Sequence, residues 1–485
     1  MARQLVCGVD CSTQGTKVLV VDVISGEIVG TGRAEHAVLG RDGVRETDPE
    51  QWWIALGQAI SQTGCAKDIA AISVAAQQHG LVVLDTARHP LRPAILWNDV
   101  RSAPDALVIV DELGGPERAA DLIGSLPIAA FTVTSWAWLR RMEPDLVRRV
   151  AGVRLPHDWL TERLTGNAVT DRGDVSATGW WSTATEAYLP EILDSPAVRL
   201  APEWLPRVLK PTEAAGKIRS NSAELLGLST DVIVGPGTGD NPAAALALGI
   251  GLGESAISLG TSGTVYTKSS KRSADPSGVV VGLADATGQF LPLACTLNCT
   301  QAIDRVAAWM SLDREDVAAS TRAVVLPYFD GERTPNLPFS AGSIVGLRHD
   351  TSPQEILLAA YEGAVSSLID ALSVLEAHSG RLDPNVPILL IGGGAQGAAW
   401  QSTVRRLSGR AIVVPRAGEL AALGAAIQAA VVLTGSSFQE FVERWDTRAG
   451  LVLEAVERDA ARLDQIRSVS SRLEVLNTSP FEQHE

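Results

Sequence analysis

A short motif occurs twice in this chain, and the spacing of its copies limits the architectures open to it. The first copy is Thr13-Gln14-Gly15-Thr16 and the second Thr261-Ser262-Gly263-Thr264, an offset of 261 − 13 = 248 in a chain of 485 residues. Each copy comes after a run that reads as a strand: Leu5 to Val9, ending on Asp10, and Glu254 to Gly260. Each precedes a second β-branched run, Val18 to Val23 and Val265 to Thr267. Turn formers between such runs predict tight hairpins. Ile28 onward reads as a third strand after the Ser25-Gly26-Glu27 turn, completing an antiparallel meander. Length alone suggests about three domains at ~150 residues each. Similar hairpins opening similar halves reduce this to two, 1–240 and 241–485.

The chain after each hairpin mixes helices and strands, so the fold class is α/β. Glu50 to Thr63 reads as a helix with Asp48 as N-cap and Pro49 in its first turn. Ile69–Val74 and Leu81–Leu84 read as strands, and Thr132–Arg141 and Ala201–Lys210 as helical or turn-like. In the second half, Ser352 and Glu355 form a capping-box pattern for a helix to about Glu376. A strand at Pro387–Ile391 then ends in Gly392-Gly393-Gly394, and after it come a helix, a strand, and a helix over Glu419–Leu433.

Composition narrows the function classes. Lys plus Arg is 41 and Asp plus Glu 56, a net charge of −15, with no basic run suited to nucleic acid or an anionic membrane. Backbone amides and a metal ion can still hold a phosphate on an acidic protein. The apolar stretch Leu420–Leu433 is interrupted by Gln428 and is shorter than the ~18–20 residues of a membrane span. Asp10 cuts the N-terminal apolar run too short for a signal peptide. The five cysteines, Cys7, Cys11, Cys65, Cys295 and Cys299, read as buried thiols in a reducing cytoplasm.

Several groups can carry chemistry. Small and hydroxyl residues in the two hairpins let backbone N–H groups approach phosphates, which points to a nucleotide in a cleft between the halves. The glycines at 392–394 allow close approach to a base or ribose. Asp10, at a strand end beside the first hairpin, is placed to hold Mg²⁺. Asp240, in Gly235-Pro-Gly-Thr-Gly-Asp-Asn-Pro-Ala243, reads equally as a helix N-cap and as a general base for a substrate hydroxyl. Gln78-His79-Gly80 and Trp97-Asn98-Asp99 present polar groups at strand ends, with Trp97 as an apolar wall for a sugar face.

Further segments join these: Asp48 to Trp53, Arg92 to Asp99, Leu155-Pro-His-Asp158, Ser258 to Gly263, Leu326-Pro-Tyr-Phe-Asp-Gly-Glu-Arg-Thr-Pro335, and Gly342 through Glu362. In this order, from Val6 to about Leu433, they resemble the FGGY carbohydrate kinases, most closely the xylulokinase group. The resemblance implies an actin-like ATPase fold of two RNase H-like domains around a cleft, use of ATP with Mg²⁺, and phosphorylation of the 5-hydroxyl of D-xylulose. By motif match, Asp240 is the general base and Asp10 the metal-linked residue. Gln78, His79, Trp97, Asp99 and Asn241 fall on the sugar side. Thr13, Gly260 and Thr261 fall on the phosphates, and Gly393 and Gly394 on the adenosine. Members of the family often form homodimers; this sequence locates no interface.

Four positions depart from the family pattern. Gln78 stands in place of Met, Ser135 in place of Lys, Ser12 in place of Gly, and Gly397 in place of Ser. Ser12 is expected to restrict the backbone of the first hairpin. Gln78 keeps other acceptors open, such as ribulose, a fuculose-type sugar or glycerol. An actin- or chaperone-like nucleotide switch without sugar chemistry would share the hairpins but leave Gln78-His79, Trp97-Asn98-Asp99 and Asp240-Asn241 unexplained. A sugar-binding regulator with decayed catalysis is a third reading.

Overall fold

The computed structural model describes residues 4–337, 339–379 and 385–477. They form two compact units. The first takes the chain up to Gly249 together with Ser270–Leu291 and Glu419–Arg448; the second takes Ile250–Ser269, Pro292–Gly418 and the chain from Ala449 on. The division therefore differs from the contiguous halves 1–240 and 241–485. The reason is close packing of small residues. A Cβ on Gly8 would lie 1.9 Å from the Ala422 carbonyl oxygen, and one on Gly424 would lie 1.9 Å from that of Ala243. The helix Leu420–Thr434 can approach the first strand and the helix Asp240–Ala247 this closely only because both positions are glycine.

The first unit is built on β1 (Leu5–Cys11), β2 (Gly15–Asp22), β3 (Ile28–Glu35), β4 (Ile69–Ala76), β5 (Gly216–Lys217) and β6 (Ile233–Val234), in the order β3-β2-β1-β4-β6-β5. The meander β1 to β3 is antiparallel, β4 and β6 add parallel to β1, and β5 closes the edge antiparallel. A short strand β7 (Thr238–Gly239) runs parallel to the end of β4. The second unit repeats the plan with β8 (Ser255–Leu259), β9 (Gly263–Thr267), β10 (Phe290–Thr296), β11 (Ile388–Ile391), β12 (Ile412–Pro415) and β13 (Gly450–Leu453), in the order β10-β9-β8-β11-β12-β13. Strand senses match step for step: antiparallel, antiparallel, parallel, parallel, antiparallel. The hairpin ends keep the offset read from sequence, 259 − 11 = 248 and 263 − 15 = 248.

In the first unit, β1 and β4 are buried almost throughout and pack against Trp52, Leu56 and Ile60 of the helix Pro49–Gln62. Asp48 caps that helix, accepting from the Glu50 amide at 3.1 Å. In the second unit the helix Pro353–Ser379 is started by the expected capping box. The Glu355 carboxylate accepts from the Ser352 amide at 2.9 Å, and the Ser352 hydroxyl accepts from the Glu355 amide at 3.2 Å. This helix is long and apolar enough to cross a membrane, with a hydropathy of 1.4, but 83% of that window is buried inside the protein, where it serves as core.

Some local expectations change. The stretch after Val100, to which the sequence assigns no element, forms two helices, Ala103–Glu112 and Pro116–Ile123. Ala201–Lys210 holds one 3₁₀ turn, Pro202–Trp204, and a strand, Arg207–Leu209. Among the thiols, Cys7, Cys11 and Cys299 are buried, while Cys65 and Cys295 are half-buried.

Candidate active site

In the first unit, β1 runs parallel to β4 and delivers Asp10 to the strand end, 6% exposed. The Ser12 hydroxyl donates to its carboxylate at 2.8 Å, and Lys17, its partner across the hairpin, pairs with Glu419 at 2.6 Å. Burial pushes the Asp10 carboxyl up to about 6, against the opposing pull of Ser12 and Lys17. Ser12 is not among the non-glycine residues with positive φ, so the hairpin does not need glycine there and the expected restriction is absent. The substitution adds a hydrogen bond to Asp10 instead.

Asp240 opens the helix Asp240–Ala247, whose N-cap is Gly239. Its carboxylate is therefore not the cap. One oxygen accepts from the Asn241 amide at 2.8 Å and from the Asn241 side chain at 3.0 Å. Half-buried, it is raised from its ordinary 3.8 to about 7, first by desolvation and then by the charges of Asp10 and Asp174. A carboxyl poised there suits proton abstraction near neutral pH.

Asn241 extends the site. Its side-chain nitrogen also donates to Gln78 at 3.0 Å, while the buried Gln78 Nε2 has no protein partner. Gln78 packs over Gly239, where a Cβ would lie 2.5 Å from its Cγ. The amide that replaces the family's Met is thus tied directly to the residue after Asp240. His79 comes next, with a positive φ of 67°; its Nδ1 donates to the Ala177 carbonyl at 2.7 Å and its ring stacks on Phe131 at 5.0 Å. The helix Thr132–Met142, directly after Phe131, holds Ser135 buried, at the position where the family pattern has Lys.

Two sugar-side candidates lie differently from expectation. Trp97, 41% exposed, turns its indole N–H onto the Thr13 hydroxyl at 3.1 Å and so braces the first hairpin. Asp99 is buried, and both its oxygens are engaged by Arg101, with the Arg45 amide on one of them at 2.8 Å. That carboxylate organises the loop and has little capacity left for a sugar hydroxyl.

The donor chemistry fits Mg²⁺. The charge of Asp10 adds to the proton affinity of Asp240, and a dication would relieve such crowding of acids. Among the described residues no group of three or more His, Cys, Asp or Glu side chains forms a metal cage.

In the second unit, the Gly260 carbonyl accepts from the Thr300 amide at 3.1 Å and hydroxyl at 2.7 Å, which anchors the β8–β9 hairpin to a helix start; Thr261 stays exposed. The glycine loop after β11 lies against the same hairpin. Gly392 has φ 87°, and a Cβ on Gly394 would lie 2.9 Å from Leu259 Cβ. Gly393 is exposed and faces open space. Beside it opens a cavity of about 440 Å³ lined by Gly393, Gly394, Gly397, Arg314, Glu315 and Trp400. At Gly397, the other departure, a Cβ would lie 2.6 Å from the Glu315 carboxylate, which accepts from the Ala399 amide at 2.9 Å.

Sequence reasoning missed several groups. Gln428, read as a break in an apolar run, is buried; it accepts from Ser73 Oγ at 3.0 Å and donates to the Gly237 carbonyl at 3.2 Å, bracing the loop that leads to Asp240. Glu315, Arg314 and Trp400 at the glycine loop carried no motif. Asp171 and Asp174 were also missed, although the family-like segment Leu155 to Asp158 contains their partner, His157.

Comparison with known proteins gives a consistent result. Two family models match: the N-terminal domain of the FGGY family of carbohydrate kinases over residues 5–247, and its C-terminal domain over 255–433. A curated xylulose kinase of Streptomyces coelicolor is 58% identical over 469 residues, 96% of each chain. Another from Streptomyces rubiginosus is 57% identical over 468 residues, again 96% of each. A solved xylulose kinase from Bifidobacterium adolescentis superposes with a TM-score of 0.83 at 32% identity, covering 97% of this chain and 100% of that one. The fold is accordingly the two-domain, actin-like ATPase fold.

Proposed function

Because the chain belongs to the FGGY family of carbohydrate kinases, we propose that it transfers the γ-phosphoryl group of ATP to the 5-hydroxyl of D-xylulose. The observation that carries this choice of acceptor is the 58% identity, over 96% of both chains, with a protein named xylulose kinase.

Mg²⁺-ATP, when bound, supplies the phosphoryl group with part of its charge neutralised. The chain's own residues position the reactants and manage the proton. Asp240, held by the Asn241 amide and side chain, takes the proton from the attacking hydroxyl. Gln78 offers its unpaired Nε2 donor beside it, and His79 is fixed by Phe131 and Ala177 for a neighbouring contact. Asp10 would hold Mg²⁺, directly or through water, and Thr13 would supply a hydroxyl donor to a phosphate; in the second unit Gly260 and Thr261 would supply amide and hydroxyl donors. Gly393 and Gly394 leave room for the adenosine. With a net charge of −15, local donors and the metal rather than the overall field hold the nucleotide. The cytoplasm, where free thiols stay reduced, fits the five cysteines without disulfides.

The test is ADP release over a panel of D-xylulose, D-ribulose, L-fuculose and glycerol. D-Xylulose should give the highest kcat/KM, and no stimulation by it sinks the proposal. A preference for another member would trace to Gln78, whose polar amide is the observation that favours a different acceptor. Asp240→Asn should lower sugar-dependent turnover by about three orders of magnitude while ATP still binds.

A further inference from the structure

Behind Asp240 lies a buried charge cluster that the reaction does not touch. His157, fully buried, is surrounded by three carboxylates: its Nδ1 lies 2.6 Å from Asp174, and its Nε2 lies 3.2 Å from Asp158 and 3.9 Å from Asp171. All three carboxylates are themselves buried. Burial alone would strip the proton from the imidazole, but the carboxylates outweigh it and hold the group up to about 9. It is an imidazolium at neutral pH, the cation that lets these acids coexist. Asp158 and Asp171 have further donors, from the Leu155 amide for the first and from two backbone amides and the Thr238 hydroxyl for the second. Asp174 does not: one oxygen binds His157 and the other has no protein partner.

The cluster is built into the segment that carries Asp240. A Cβ on Gly237 would lie 2.6 Å from His157 Cδ2, so the ring forms the floor of the Gly235–Gly239 approach. Asp171 accepts from the Thr238 hydroxyl at 2.8 Å, two residues before Asp240. Asp174, the acid that depends most on His157, is also one of the charges acting on Asp240.

We infer that protonated His157 is a positioning residue for phosphoryl transfer: by neutralising Asp174 and seating Asp171 under Thr238, it holds the Gly237–Asp240 segment so that the Asp240 carboxylate meets the sugar hydroxyl. The cation acts through the segment and touches neither substrate. The inference rests on Asp240 being the general base. Displacing a reacting group by about 1 Å lowers turnover by roughly a hundredfold without abolishing binding.

The experiment compares His157→Gln, which keeps a neutral hydrogen-bonding side chain, with His157→Lys, which restores a cation. Both are measured in the full-length enzyme for kcat and for KM of D-xylulose and of Mg²⁺-ATP. His157→Gln should lose about a hundredfold in kcat with both KM values within about threefold of the parent, and His157→Lys should recover kcat to within about tenfold of the parent. Overturning results are a folded His157→Gln with parental kcat, or a His157→Lys no better than His157→Gln, which would assign the effect to ring shape. If His157→Gln does not fold, Thr238→Val removes only the link from Asp171. It should lower kcat about tenfold at unchanged KM, and parental kcat there overturns the inference. Asp240→Asn is assayed alongside. Retained turnover in it overturns the base assignment and this inference together, whereas a dead Asp240→Asn beside a fully active His157→Gln overturns the positioning role alone.

Discussion

The Asp240→Asn variant separates what this carboxylate does for chemistry from what it does to stability. In the folded protein the group is raised from 3.8 to about 7, so between those values the native state binds more protons than the unfolded chain. The stability contribution of such a group falls as pH rises, the reverse of a salt-bridged aspartate. A shift of about three units corresponds to an upper limit of ~4 kcal/mol of destabilisation at pH 8, decreasing to ~2 kcal/mol at pH 5 where the native group is protonated. Asparagine keeps the volume and the oxygen that accepts from the Asn241 amide and side chain, so no hydrogen bond need be lost. The ligand-free variant should therefore resist urea better than the parent, with the larger gain in midpoint at pH 8 and a clearly smaller one at pH 5. A midpoint at or below the parent's at pH 8, or a gain equal at both pH values, would refute the desolvated-carboxylate argument.

The same site and its supports set three other outcomes. The kcat/KM for D-xylulose should fall as pH drops through about 7, where the Asp240 carboxyl takes up its proton; a flat profile from pH 5.5 to 8 would contradict the base assignment. Gln428→Leu leaves the Ser73 hydroxyl and the Gly237 carbonyl without their partner in the interior. It should lose ~2–5 kcal/mol of stability in denaturant titration, with a fall in kcat. Gly8→Ala places a methyl 1.9 Å from the Ala422 carbonyl and forces the helix off β1. It should destabilise by at least ~1–3 kcal/mol, and soluble parental behaviour would refute the close approach.

How much of this was legible depended on distance along the chain. The hairpins could be read because turn residues and β-branched runs act within a few positions, and the strand ends kept the offset of 248 read for the motifs, 259 − 11. Asp10 and Asp240 stood out because strand ends and a glycine-rich approach mark where backbone meets a ligand. The helices after Val100 were obscured because Leu107, 74% exposed, and Val108 put apolar residues on the solvent side and blur the period. His157 and Asp174 lie 17 residues apart on different elements, and only the fold closes the pair. Gln428 read as an interruption because its partners, 355 and 191 residues away, are invisible locally. Trp97 follows the short strand Ala94–Ile95, as read, but nothing in sequence tells that its indole turns to Thr13.

The return of Glu419–Arg448 to the first unit has a consequence for biosynthesis. Lys17 meets Glu419 across 402 residues, and the Trp445 indole donates to the Val23 carbonyl across 422. On the ribosome, at ~5–20 residues per second, the opening strands are made tens of seconds before the helix that covers them. Until then the side of β1 that receives Ala422 and Ala426 stays uncovered, open to chaperones and to wrong partners. A fragment ending at Leu291 should therefore aggregate when expressed alone and gain solubility when 419–448 is co-expressed, because those residues complete the first unit.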